Sequence, residues 1–315
     1  MGTQHNQFDL LSQLKDQSEL IDSGADVRAL GFAPSVEEPA PPDATRKFLV
    51  QTGYGLRAFV TCSSAGNPDL VARGVRNIAA IRGQLSPRIA EPVIEPLETG
   101  EVAGFSYAIW PMLTTFPERR PFSFAAKRWH APRILDWVQG LSLETAAPMA
   151  PEAQESLAAD VILLSENSNL PGRVKQTAAE TSEQLRLGRW RPVQTVQHSD
   201  LWMGNIMYAP RGSAWSFSVI DWTGATVNGF PFFDFCRFCL SCKTSAHLTR
   251  RKLWRLLAAL ELEHDAVVPH VLCSLARMQR NLEHFPEELF CEMVAQTTRF
   301  AFDLAEGAAS DYRQG

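Results

Sequence analysis

The chain has 315 residues, 45% hydrophobic and 21% charged, with a formal net charge of −5; this is enough apolar mass for two packed lobes, and the acidic balance argues against a nucleic acid as partner. No apolar run approaches the roughly 20 residues that cross a bilayer, and MGTQHNQFDL has neither the basic start nor the apolar centre of a secretory leader. The expectation is a cytoplasmic protein with no membrane partner, its oligomeric state left open.

Residues 6–21 carry Phe8, Leu11 and Leu14 at helical spacing and predict a first helix. The prolines of APSVEEPAPPD at 33–43 exclude helix and central strand. KFLVQT and LRAFVTC, around GYG, predict a β-hairpin over 47–62 with Gly53 and Gly55 in its turn. GYGLRA also fits the loose G-x-G-x-x-A dinucleotide pattern, but it leads into the strand-like AFVTC, whereas that fingerprint must open a helix. Asn67-Pro68-Asp69 is a helix start, and Leu70, Val75, Ile78 and Ile81 give the helix an apolar face. Two strands are expected next, AEPVIEPLE and, after a turn at Gly100, GFSYAIWPML. A hinge at 110–115 follows, and the texture turns helical over 127–144, 151–166 and 170–188. Two short strand-like runs, RPVQTVQ and WSFSVI, interrupt it before helices over 248–264, 265–282 and 286–305. The order predicts an α+β chain with a small β-rich lobe, residues 1–112, and a larger, mainly helical lobe, residues 113–315.

Of the six cysteines, Cys236, Cys239 and Cys242 form C-x-x-C-x-x-C, while Cys62, Cys273 and Cys291 are scattered. The three share one helix face with no fourth ligand nearby, so they read as small core residues rather than a metal site.

The chemistry is concentrated where the two short strands end, in HSDLWMGN at 198–205 and IDWTGA at 220–225. Phosphoryl transfer needs a carboxylate to accept the proton of the attacking hydroxyl, and oxygen ligands to hold Mg²⁺ against the phosphates. Asp200, Asn205 five residues on, and Asp221 at the end of the neighbouring strand supply those groups. His198-Ser199-Asp200 is no hydrolase triad, because triad members converge from separate elements.

This pair of segments resembles the catalytic loop, usually H-G-D-x-x-x-x-N, and the hydrophobic-D-[WF] segment of the aminoglycoside phosphotransferase / choline kinase group of small-molecule kinases. GFPFFDFCRF resembles the group's G-x-P-x-x-D-L segment. The resemblance implies a protein-kinase-like bilobal fold, ATP and Mg²⁺ as cofactors, and a small-molecule acceptor of the sugar, amino sugar or amino alcohol class. It implies Asp200 as catalytic base with His198 beside it bracing the loop, Asn205 and Asp221 as metal ligands, and Asp234 as structural support through the loop's backbone. Ser199 stands where the group usually has glycine.

The family pattern is incomplete in the small lobe. Kinases of this fold pair a strand Lys with a helix Glu; here Thr61 takes the Lys position, Gly74 lies near the Glu position, and that helix has no acidic residue after Asp69. Arg57 on the face of Thr61, Lys47, Arg73 and Arg76 are the candidate replacements, and Arg57, Thr61, Trp110 and Met112 are the expected nucleotide contacts. A kinase with a substitute cation and a non-catalytic pseudokinase that binds nucleotide or a partner are both consistent with this pattern; the intact Asp200–Asn205–Asp221 set favours the kinase. Glu283, Glu287, Glu288 and Glu292 suit a cationic acceptor or form one helix's wet face. Trp202 and Trp222 flank the centre as acceptor wall or as core.

Overall fold

A computed structural model describes residues 13–14, 16, 18, 20–21, 26–29, 45–51, 57–116, 120–209, 213–283 and 285–312. Most of the helix expected over 6–21, the proline-rich stretch and the turn at Gly53 and Gly55 lie outside the described residues; Gln13, Leu14 and Asp16 are helical. The fold is α+β and bilobal.

The predicted hairpin forms the middle of an antiparallel sheet. Its strands are β1 (Asp26–Ala29), β2 (Arg46–Gln51), β3 (Arg57–Cys62), β4 (Glu98–Val102) and β5 (Phe105–Pro111), in the order β1-β2-β3-β5-β4. Lys47 pairs with Thr61, Thr61 with Ala108, and Phe59 with Trp110. Because strand side chains alternate, Phe48, Val50, Val60, Cys62 and Ile109 share one face, where they are buried with Leu14 and Ile21. Lys47, Thr61 and Trp110 share the opposite face, and Trp110 packs against the core of the rest of the molecule.

Helix α1 (Leu70–Arg82) starts as the sequence predicts but is capped from elsewhere. Asp69 makes no side-chain cap; instead Ser63 Oγ accepts the Val71 N–H (2.9 Å) and Ser106 Oγ the Ala72 N–H (3.1 Å). It buries Val71, Gly74, Ile78 and Ile81, so the face is rotated from the expected Leu70/Val75 line. AEPVIEPLE is not a strand. The short helix α2 (Pro87–Ala90) precedes it, and Val93 makes a single parallel bridge to Val219. Pro92 and Pro96 remove two ladder donors from that stretch. Gly100 is inside β4, not in a turn; a Cβ there would lie 2.7 Å from the Tyr107 ring, and the turn falls at Ala103 and Gly104, both at positive φ.

The larger lobe contains α3 (Arg120–Thr145), α4 (Pro151–Glu166), α5 (Gly172–Arg186), α6 (Phe233–Cys242), α7 (Ala246–Ala259), α8 (Val267–Arg280) and α9 (Glu287–Tyr312). Six short strands are threaded among them: β6 (Thr114–Thr115), β7 (Ala147–Pro148), β8 (Val193–Gln197), β9 (Ile206–Tyr208), β10 (Phe217–Val219) and β11 (Thr226–Gly229). They form two sheets, β10-β9-β6 and β11-β8-β7. Trp137, Phe217, Phe230, Phe233 and Phe238 fill one core with the aliphatic faces of the helices. Cys236, Cys239 and Cys242 are buried in it with free thiols, and burial pushes Cys239 up to about 12. Among the described residues there is no His/Cys/Asp/Glu cluster of metal-site type, and no helix is long and apolar enough to cross a membrane.

Candidate functional site

Strand β8 delivers the chain to His198, and the β9–β10 hairpin delivers it to Ile220 and Asp221. The two deliveries are strapped together through Ile220. Its N–H donates to the Asn205 carbonyl (3.0 Å), and its carbonyl accepts from His198 Nε2 (3.0 Å). The other ring nitrogen, Nδ1, accepts the Asp200 N–H (3.3 Å). This fixes one neutral tautomer. Burial holds His198 down at about 4, against the opposing influence of Ile220 and Asp221, and its ring meets Trp222 edge-on at 4.6 Å. His198 therefore braces the loop and is not charged near neutrality.

Asp234, in the first turn of α6, supports the loop from below. Its two carboxylate oxygens accept the N–H groups of His198 (2.6 Å) and Ser199 (3.0 Å). Gln197 adds a second support: its Oε1 accepts from Phe230 N–H (3.0 Å) and the Ser274 hydroxyl (2.8 Å), and its amide donates to Ser199 Oγ (3.1 Å). Asn205 donates to the carbonyl and to Oδ2 of Asp200 (2.9 and 3.0 Å), which leaves its own Oδ1 as the outward acceptor. Asp200 keeps a water-exposed edge at the floor of a cleft. Desolvation by the cleft walls, then the charge of Asp221, pushes its carboxyl up to about 6, while Arg237, Asn205 and Trp202 pull it back.

Three non-glycine residues with left-handed backbone surround this centre: Ser199 (φ 71°), Asp221 (φ 64°) and Phe232 (φ 77°). A side chain in that region costs about 1–2 kcal/mol, which explains why glycine suits the position of Ser199. We expect Ser199→Gly to be more stable than Ser199→Ala by about 1 kcal/mol, the reverse of the usual order. Thermal melts of the two variants check this, and an alanine variant that melts higher contradicts it.

The two tryptophans separate. Trp222 is core, donating to the Val219 carbonyl (3.0 Å), whereas Trp202 is 44% exposed and its ring lies over Gly204, where a Cβ would be 2.3 Å away.

The small-lobe residues occupy different places. Thr61 Oγ1 accepts the Trp110 indole N–H (2.8 Å), with Lys47 directly across the strand pair. Met112 is exposed just past β5, and Arg57 is in β3 with its side chain outside the described part. Arg73 pairs with Glu283 through both Nη atoms (2.5 and 3.2 Å), and Arg76 pairs with Asp69 (3.0 Å). At the position where a Glu is missing, Gly74 lets α1 close onto Thr223; a Cβ there would sit 3.2 Å from Thr223 Oγ1. Asn77 completes the docking, donating to the Trp222 and Thr223 carbonyls (both 3.1 Å).

Between α1, α6 and α8 lies a cavity of about 670 Å³, with Ser199, Asp200, Arg237 and Arg277 in its wall. Thr61, Trp110 and Met112 do not line it, nor do Glu287, Glu288 and Glu292, which lie exposed on α9. Glu283 does line it, but is held by Arg73. Sequence reading overlooked Gln197, Arg237 and Arg277. The signal for Arg237 was its place one helical turn after Asp234, on the same face.

No protein-family profile matches the chain, and no curated protein matches it in sequence. Solved structures match it in fold. Macrolide 2'-phosphotransferase type I aligns with a TM-score of 0.55 at 13% identity, over 94% of this chain and 96% of that one. The GDP complex of wild-type aminoglycoside 2'-phosphotransferase-IIIa gives 0.52 at 13% identity, over 98% and 99%. Choline kinase LicA from Streptococcus pneumoniae gives 0.52 at 12% identity, over 96% and 99%. The chain shares the fold of these proteins over almost its whole length.

Proposed function

We propose that the protein is an ATP- and Mg²⁺-dependent phosphotransferase of the aminoglycoside phosphotransferase / choline kinase type, acting on a hydroxyl of a small molecule. The observation that carries this reading is the convergence of Asp200, Asn205 and Asp221 through the straps on Ile220, with Asp200 in the wall of a cavity of acceptor size. The shared fold supports it, as do the activities after which the similar structures are named, all small-molecule kinases or phosphotransferases, one of them in complex with GDP.

Asp200 is the general base in this reading. With its carboxyl near 6 it is ionised above neutrality yet basic enough to take a proton in flight. The acceptor hydroxyl gives its proton to the Asp200 carboxylate as its oxygen attacks the γ-phosphorus, and the nucleoside diphosphate leaves. Asn205 Oδ1 and the Asp221 carboxylate are hard oxygen donors, and the charge of Asp221 is near enough to Asp200 to raise its proton affinity, an arrangement that suits a cation. Those two residues would hold Mg²⁺, which supplies charge compensation on the phosphates. The nucleotide lies between the lobes, divided near residues 112 and 113, against the sheet face of Thr61, with Trp110 and Met112 at the crossing and Lys47 or Arg57 as the substitute cation.

A second reading, a non-catalytic nucleotide-binding or interaction protein, has one specific observation in its favour. The Lys–Glu positions are occupied by the Thr61–Trp110 hydrogen bond and the Gly74–Thr223 contact. Thermal melts followed by turnover assays separate the two. Mg-ATP or Mg-GTP should raise the melting temperature, by an amount equivalent to about 2.7 kcal/mol at a hundredfold excess over Kd. Asp221→Ala should remove the Mg²⁺-dependent part of that shift. Binding without turnover on neutral, amino and acidic hydroxyl compounds supports the second reading. No shift with either Mg-nucleotide overturns the kinase and the nucleotide-binding form of the second reading.

A further inference from the structure

The charges in the cavity wall bear on what the acceptor is. Two acidic groups line it, Asp200 and Glu283. Asp200 is committed to the proton, and Glu283 is engaged by both Nη atoms of Arg73. Neither is left for an ammonium group, and the glutamates of α9 that the sequence offered for a cationic acceptor are outside the lining.

The opposite charge is in surplus. Arg237 of α6 and Arg277 of α8 both reach the wall, and among the described residues neither has a carboxylate within ion-pair distance. Arg237 has a buried Nε with no hydrogen-bond partner, an arrangement that native structures rarely leave unexplained. Arg277 is oriented by its neighbours: one Nη donates to the Asn228 carbonyl, and the guanidinium lies 4.6 Å over the Phe230 ring. Stacking and a single backbone bond hold the fork in place, and among the described residues its remaining N–H groups have no hydrogen-bond partner. A guanidinium in a partly dry wall is matched best by an oxyanion that takes two parallel N–H bonds.

Resting on the phosphotransferase reading, we propose that the acceptor is a small hydroxylated molecule carrying an anionic group, a carboxylate or a phosphate. Arg237 and Arg277 hold that group while its hydroxyl meets Asp200. The cavity selects against amino sugars and amino alcohols, because it offers an ammonium two guanidinium groups and no unengaged carboxylate beyond the base itself.

The test is calorimetric titration of the full chain, saturated with a non-hydrolysable Mg-nucleotide, using inorganic phosphate and, separately, ethanolamine as probes. Phosphate should bind. Arg277→Gln and Arg237→Gln should each weaken it about tenfold, the scale of one lost charge-assisted pair, with Mg-nucleotide affinity unchanged. Arg277→Lys keeps a cation over Phe230, should lie between wild type and Arg277→Gln, and is the variant to read if the glutamine form does not fold. Ethanolamine should give no binding heat. The proposal is overturned by phosphate affinity indifferent to both substitutions, by absence of phosphate binding, or by ethanolamine binding in preference. It also falls if the substitutions weaken the Mg-nucleotide instead, because the arginines then serve the donor phosphates. If no Mg-nucleotide binds but arginine-dependent phosphate binding persists, the phosphotransferase reading fails and the anion site stands.

Discussion

Asp200→Asn should lower turnover by about a thousandfold while leaving the protein harder to melt at pH 8 than the wild type. The two effects have one cause. Asp200 is kept ionisable in a concave floor beside Asp221, and its carboxyl is raised to about 6 from an ordinary 3.8. A carboxyl whose folded value lies above its unfolded one binds extra protons in the folded state between those values. Its favourable contribution is complete below about 4 and is lost as the pH rises through 6. Above 6 the folded wild type carries two like charges that the Asn variant does not. Asparagine keeps an oxygen for the Asn205 amide, so the local bond survives. The side chain is part-exposed, so solvent screening reduces the gain to about 1 kcal/mol. Melts of both proteins from pH 4 to 8 should separate progressively between about pH 4 and 6 and run parallel above that. A variant that is inactive and also less stable at pH 8 than at pH 4, relative to wild type, would show that the floor does not raise Asp200. Saturating Mg-nucleotide should erase the wild type's deficit, since a cation placed against Asp221 offsets the same repulsion.

The loop's geometry was legible because it is local. Asp200 and Asn205 are five residues apart, and Asp221 follows one hairpin later, so spacing alone brings the three near each other. The 47–62 hairpin was legible for a similar reason: each strand alternates, and the residues between the runs cannot continue them. What failed was decided by tertiary contact. AEPVIEPLE has strand-like residues, but its prolines allow Val93 only one bridge, to Val219 in a strand more than a hundred residues on. Gly100 reads as a turn, yet its missing Cβ makes room for the Tyr107 ring across β4 and β5. The inner face of α1 shifted because its partners are β5 and the Thr223 segment rather than water, and Gly74 is among its most buried positions. Arg237 and Arg277 come from two helices forty residues apart in sequence, and no periodicity brings them to one wall. Gly74 and Thr61 looked like gaps in a family pattern. In the structure each has a contact of its own, so α1 is docked onto the 222–224 segment while the ion pair that usually ties the helix to the sheet is missing.

That docking makes the fold's tolerance of a missing ion pair depend on how well the 198–205 loop is fixed from the other side, and Asp234 is the group that does this. Asp234→Ala should cost about 2–5 kcal/mol, because it strands the N–H groups of His198 and Ser199, and an unsatisfied buried donor costs about 1–3 kcal/mol. At roughly 2–4 °C per kcal/mol for a chain approaching this size, the melting temperature should fall by about 10 °C. Asp234→Asn is the sharper probe. It keeps one acceptor oxygen and turns an NH₂ group toward the second N–H, so it should lose about half as much stability while the side-chain volume is unchanged. Burial raises the Asp234 carboxyl to about 7 even though the two amide donors favour its ionised form, so the asparagine variant is also relieved of a buried charge, and its deficit should shrink as the pH rises. The effect on function should appear in kcat before nucleotide affinity. His198 and Ser199 lead directly into Asp200, the proposed base, whose displacement by about 1 Å would cost of order a hundredfold, whereas the proposed nucleotide contacts belong to the small lobe. An Asp234→Asn protein that melts with the wild type and turns over at the same rate would show that the Gln197 bonds and the Ile220 straps suffice to hold the loop. Asp234 would then be a first-turn acid of α6 and nothing more.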